Sequence, residues 1–188
     1  MDDTLVKESY NKFEQYPLFS YNCISYLIND DNSELLWKLL YYEDPNAWKS
    51  DGDHPNLSKE QKRSLIYGGQ QNQEDFRVFL DMGMDNAWTT EACIVRISPY
   101  QVYPTMKPVG LVTMAFEVYS HFKLNTLSNY QTRIDTVTQS IISALNGQNI
   151  EGIGRLFFDL KASRQCRSTL MGQIPFRGRR TIMCNWTV

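Results

Sequence analysis

The stretch IISALNGQNIEGIGRLFFDL, Ile141 to Leu160, decides how this chain is read. Its glycines, Gly147, Gly152 and Gly154, have the spacing of a phosphate-cradling loop at first sight. Such a loop needs G-x-x-x-x-G-K-[ST], because the lysine reaches the phosphates and the hydroxyl holds Mg²⁺. Ile153 and Gly154 stand where those two residues belong. The order of elements is also reversed. A phosphate loop runs from a strand into the amino end of a helix, whose free amides meet the anion. Here a helical pattern comes first, so the partly negative carboxyl end of a helix faces the glycines. Gly147 is expected to end that helix in the left-handed region, with Gly152 and Gly154 turning the chain into a strand. The stretch speaks against nucleotide binding.

Outward from it the pattern is that of a sheet and a helix. On the amino side, YQTRIDTVTQSIISALNG places Tyr130, Ile134, Val137, Ile141 and Leu145 on one helical stripe, with Ser128-Asn129-Tyr130-Gln131 as a capping box. Before it, ACIVRIS alternates Cys93, Val95 and Ile97 with polar positions, and VGLVTMAFEVYS alternates Val112, Met114, Phe116 and Val118. The connection PYQVYPTMKP holds Pro99, Pro104 and Pro108, too many for a central strand, and is expected to be an extended arm; Tyr100, Tyr103, Met106 and Lys107 are its candidate interface residues. On the carboxyl side, GRLFFDLKA sets Leu156, Phe158 and Leu160 against Phe157, and GRRTIMCNWTV sets Ile182, Cys184, Trp186 and Val188 against Thr181, Met183 and Asn185. The order is β-β-α-β-β.

The first ninety residues read as short helices: NSELLWKLLYY with Asn32 or Ser33 as cap, a second helix opened by the Ser58–Gln61 capping box and stopped by Gly68 and Gly69, and weaker candidates over 5–13 and 19–27. EDPNAWKSDGDHPNL between them is a loop. Aromatic residues are denser here than a small helical segment buries alone, so some are expected to pack on the second half or on a neighbouring molecule. The expected class is therefore α+β: a small antiparallel or mixed β-sheet with one packed α-helix, residues 91–188, behind an N-terminal helical region, residues 1–90.

With 42% hydrophobic, 13% aromatic and 21% charged residues in 188, the composition is that of a folded chain. It holds no apolar run of membrane-spanning length and starts with an acidic, polar stretch unlike a signal peptide, which leads us to expect an intracellular or particle-bound protein without a membrane partner. The net charge of -2 conceals a division: 17 acidic against 8 basic residues up to Ala92, then 4 against 11. Such asymmetry fits either faces that complement each other between subunits or a basic surface facing nucleic acid; an unevenly solvated surface is the plainer account.

No constellation for catalysis stands out. Cys23, Cys93, Cys166 and Cys184 are far apart, and His54 and His121 have no neighbouring ligand cluster, so neither a metal nor a cofactor is expected. His121 with a cysteine is the weakest hypothesis considered. Arg177, Arg179 and Arg180 beside Phe176 form a candidate contact for DNA or for another subunit; the alternative is a turn around Gly178 with arginines guarding an exposed sheet edge.

In the second half, FEVYSHFKLNTL, the helix from Arg133-Ile134-Asp135 to Ala144-Leu145-Asn146-Gly147, the turn Gly152-Ile153-Gly154 with RLFFD, and PFRG before the last strand together resemble the head-to-tail connector and tail-terminator-like proteins of tailed bacteriophages. With LLWKLLYYEDPNAW and LSKEQKRSLIYGG the chain is most similar to neck ring proteins of crAss-like phages, over residues 33 to 188. The resemblance implies a structural virion protein of the neck, made in the host bacterial cytoplasm. It would form a homo-oligomeric ring, twelve-fold first and six-fold second, that joins the portal and capsid to neighbouring neck and tail rings. DNA would pass through the lumen in non-specific contact. No catalytic residues are implied. A nucleic-acid-binding module using the basic second half is the alternative.

Overall fold

The structure is a computed structural model. It describes residues 18–69, 72–80, 91–103, 111–150, 154–158, 164–166 and 176–187; in 101–103, 111, 164–166 and 176–187 the backbone alone is described. Three helices open the described chain: α1 (Phe19–Asn29), α2 (Glu34–Tyr41) after a 3-10 turn at Asp31–Ser33, and α3 (Lys59–Ser64). After a second 3-10 turn at Gln73–Asp75 come β1 (Val78–Phe79), β2 (Cys93–Tyr103), β3 (Leu111–His121) and α4 (Arg133–Leu145). The small hairpin strands β4 (Asn149–Ile150) and β5 (Gly154–Arg155) lead to β6 (Phe157–Phe158), β7 (Arg164–Cys166) and β8 (Phe176–Thr187).

The class is α+β, as the change of hydrophobic period predicts. One mixed sheet runs β1-β2-β3-β8-β6, with β7 also on β8. β1 is parallel to β2 and the other pairs are antiparallel. The alternation read in the sequence sets the inward face: Cys93, Val95, Ile97, Val112, Met114, Phe116 and Val118 are all buried in the main core. α4 lies on this face through Ile134, Val137, Ile141, Ala144 and Leu145, each of the isoleucine, valine and leucine side chains contributing about 1.5–3 kcal/mol on full burial. The same core takes Phe19, Cys23, Ile24 and Leu27 from α1 and Leu36, Trp37, Leu39 and Leu40 from α2. The surplus of rings is thus partly spent on the sheet, with Trp37 fully buried and its Nε1 donating to the Leu27 carbonyl at 2.9 Å. The reverse face carries a smaller cluster of Phe79, Ala92, Ile94 and Tyr119, against which Tyr67 and Phe76 pack.

Several expectations are corrected. α4 begins at Arg133, with Thr132 as its cap accepting from the Asp135 amide, so Ser128 does not open it. Tyr130 lies outside the helix at φ 64 and is 96% exposed; buried Arg133 and Ile134 take the start of the stripe instead. α3 has the reciprocal Ser58–Gln61 capping box, yet it stops at Ser64 rather than at the glycines. Arg77 and Val78 donate to the Leu65 carbonyl at 2.8 and 3.0 Å, and this tertiary pairing draws the chain out of the helix. The arm beginning at Pro99 is strand as far as Tyr103, paired with β3. Proline is tolerated there because β1 reaches only Val95 and Arg96 on the other side of β2. Met106 and Lys107 lie outside the described residues.

The opening glycines behave as a turn. Gly147 has φ 78 and follows α4; its carbonyl accepts from Arg155 Nε at 3.0 Å, so a cation meets the helix's negative end. β4 and β5 form a hairpin, with Gly154 at φ 95 opposite Ile150. Gly152 lies outside the described residues. The strand read through Phe157 and Phe158 breaks into β5 and β6 around Leu156, which is fully buried, while Phe158 packs on the core and Phe157 faces out.

Candidate functional site

The polar groups inside the molecule hold the helices to the sheet layer. Arg133, at the start of α4, is fully buried, and its guanidinium caps the carboxyl end of α2. Nη1 donates to the carbonyls of Leu39 at 2.6 Å and Tyr42 at 2.7 Å, Nη2 to those of Glu43 at 3.3 Å and Asp44 at 2.7 Å, and Nε to that of Leu124 at 2.9 Å. The Leu39 carbonyl lies in the last turn of α2, where carbonyls lack a partner within the helix, and the helix dipole favours a cation at that end. Burial lowers the pKa of Arg133, but an arginine starts high enough to keep its charge.

The loop after α2 is fastened twice more. Trp48 Nε1 donates to Ser128 Oγ at 2.9 Å and Ser128 N to the Pro45 carbonyl at 2.9 Å. His54 lies between two carboxylates, Nδ1 at 2.9 Å from Asp51 Oδ1 and Nε2 at 2.9 Å from Asp44 Oδ2, with the Tyr42 ring edge-on to it. The hydrogen bonds to Asp51 and Asp44 raise the His54 pKa, outweighing its desolvation. In return the His54 hydrogen bond lowers that of Asp51. For Asp44, burial pushes upward but is overcome by hydrogen bonds from the Asn46 amide and His54. This contradicts the expectation that His54 has no carboxylates about it: Asp51 precedes it by three residues and Asp44 by ten, and the loop folds both back. Among the described residues no group of three His, Cys, Asp or Glu side chains is arranged to hold a metal ion.

Cys93 and His121 are kept apart. Cys93 pairs with Ser120, and successive strand positions alternate, so His121 falls on the opposite face from Cys93. Burial pushes the Cys93 thiol up to about 11 and the Cys23 thiol up to about 12, and lowers the pKa of His121.

The arginines singled out from the sequence lie in β8. Arg179 pairs with Tyr119 on one side and Cys166 on the other, Arg180 with Val118 and Gln165. Arg179 and Arg180 are flanked by β3 and β7, so the reading of these two as guards of an exposed edge is corrected; the pairing with β7 does not reach Arg177. Gly178 pairs with Ser120 inside the strand rather than forming a turn. Arg177 is the extra residue where the β3–β8 register shifts, and Arg179 and Arg180 occupy positions on opposite faces. The backbone therefore does not gather the three on one face.

Among the described residues, Leu18, Tyr21, Tyr41, Phe122 and Tyr130 are exposed away from the sheet, and Tyr100 and Phe157 are exposed on it. Tyr100 is the extra residue at the bulge between Pro99 and Gln101 and is 55% exposed. Tyr103 ends β2 opposite Leu111. On the opposite border Phe157 is 51% exposed, with the Arg155 guanidinium 5.2 Å from its ring centroid, a cation–π contact. The expected outward turn of Phe157 was its only sequence signal.

No helix of the described residues is long and apolar enough to cross a membrane. A search of curated proteins finds no match. The sequence profile of the YomW family matches residues 33–183, and that name fits a phage-associated protein. The match takes in α2, the capped loop, the sheet and α4, well over half of the sequence, and on that ground the chain belongs to the YomW family.

Proposed function

We propose that this protein is a structural subunit of a phage virion: a homo-oligomeric ring in the neck that joins portal and capsid to the tail, with DNA passing through its lumen. The observation that carries the reading is the outer side of β2 in the described sheet. Beyond Val95 and Arg96, no described strand pairs with it, and Tyr100 is half exposed there. Such a strand border is a ready-made surface for adding another chain. Twelve copies is the favoured number and six the second.

Immunogold labelling of virions tests the reading. Label at the portal vertex between capsid and tail is the expected result; label on the capsid faces or the tail tip, or none on intact particles, would remove it. The alternative, a nucleic-acid-binding module, predicts tight DNA binding that falls steeply with salt and is lost on replacing Arg177, Arg179 and Arg180 by alanine.

A further inference from the structure

A groove of about 740 Å³ runs between α4 and the 3-10 turn that precedes α2, a size within the roughly 300–1,000 Å³ of small-molecule sites. Asn32 and Leu35 form one wall, and the polar stripe of α4 from Thr132 to Ser143 forms the other. Among the described residues no lysine, arginine or histidine lines it, so it offers an anion no counter-charge. The hydroxyl protons of the α4 wall are already engaged within the fold. Thr132 Oγ1 donates to Asp135 Oδ2 at 2.5 Å, Thr136 Oγ1 to the Thr132 carbonyl at 2.9 Å, and Ser140 Oγ to the Thr136 carbonyl at 2.9 Å. These oxygens are left with lone pairs to offer, and the Asp135 carboxylate adds further acceptors. Such a wall suits a ligand rich in O–H donors. A cationic ligand would find one counter-charge in the lining, Asp135, and that carboxylate already accepts from Thr132.

Tyr130 lines the same groove at the amino end of α4. It is 96% exposed, so its ring adds nothing to the core, and its backbone stands at φ 64, a left-handed conformation that strains a bulky residue. The turn that holds it there is closed by Leu127 N donating to the Gln131 carbonyl and Tyr130 N donating to the Leu127 carbonyl, each at 3.0 Å. We propose that this groove binds a neutral carbohydrate: a short oligosaccharide whose hydroxyls donate to Thr132, Asp135, Thr136 and Ser140 while the apolar face of one sugar ring lies on the Tyr130 ring. The site goes beyond the ring reading above and does not depend on it.

The test is saturation-transfer NMR on the full chain with trisaccharides built from glucose, galactose, rhamnose and N-acetylglucosamine, and with spermidine as a cationic competitor. At least one trisaccharide is expected to bind with a Kd of about 1 mM or tighter, with no change between low and high salt because the ligand is uncharged. Tyr130→Gly keeps the left-handed backbone without strain and removes the ring. It is expected to unfold in urea at a midpoint no lower than wild type and to bind that sugar at least about tenfold more weakly. Tyr130→Asn, which also tolerates this backbone, serves if the glycine variant does not fold. Binding of none of the trisaccharides, binding of spermidine in their place, or a folded Tyr130 variant that holds the sugar as wild type does overturns the proposal. Each of these leaves the ring reading standing, since that is read from assembly and not from sugar binding.

Discussion

Arg133 donates to the carbonyl of Asp44 at 2.7 Å across 89 residues of sequence. Through it the start of α4 holds the end of α2, and Asp44 in turn holds His54 by its carboxylate. The helical segment and the sheet layer share this junction as well as their core.

Replacing Arg133 by methionine takes the donor from the buried Leu39 carbonyl and from the half-buried carbonyl of Tyr42. The expected loss is about 1–3 kcal/mol in urea unfolding, the cost of an unsatisfied buried group. Arg133→Lys keeps the charge but not the planar fork and is expected to recover only part. A variant as stable as wild type would mean that the junction contributes nothing.

The two histidines should give pH dependences of opposite sign. The His54 pKa is raised in the fold by Asp51 and Asp44, so its contribution is complete below the unfolded value of about 6.5 and is lost as pH rises through the higher folded value. The His121 pKa is lowered by burial, so its contribution is present above about 6.5 and is lost as pH falls through the folded value. Urea midpoints measured across this range should show that His54→Asn removes the alkaline loss and His121→Asn the acid-side loss. Profiles unchanged by both substitutions contradict the assignments.

Gly147→Ala places a Cβ at φ 78, where its nearest contact would be Arg155 Nη2 at 3.9 Å. Space is sufficient, so the cost is backbone strain, about 1–2 kcal/mol in thermal or urea unfolding. This position was legible in the sequence, as were the alternating strands and the Ser58–Gln61 box, because each is local: the side-chain period or a three-residue spacing fixes it. β1 was not, since two residues carry no period and their parallel pairing to β2 depends on the fold. Arg133 was missed for a related reason. Its partners are backbone carbonyls that no side chain announces, and an arginine ordinarily reads as surface charge. Of the exposed aromatic residues on the sheet, Tyr100 was named as part of an arm, while Phe157 had only its outward alternation.

Cys23 and Cys93 should resist modification in the folded protein. Burial raises both thiols, to about 12 and about 11, and the thiolate is the reactive form. Peptide mapping after iodoacetamide treatment at neutral pH should find both unmodified in native protein and modified in urea. Rapid native labelling of either would contradict its placement in the core.

The ring itself is tested most directly by native mass spectrometry of the purified full-length protein. A single closed oligomer is predicted, of twelve copies or else six, with no ladder of larger assemblies. A chain that remains monomeric as its concentration is raised, with neither ring present, would contradict the account.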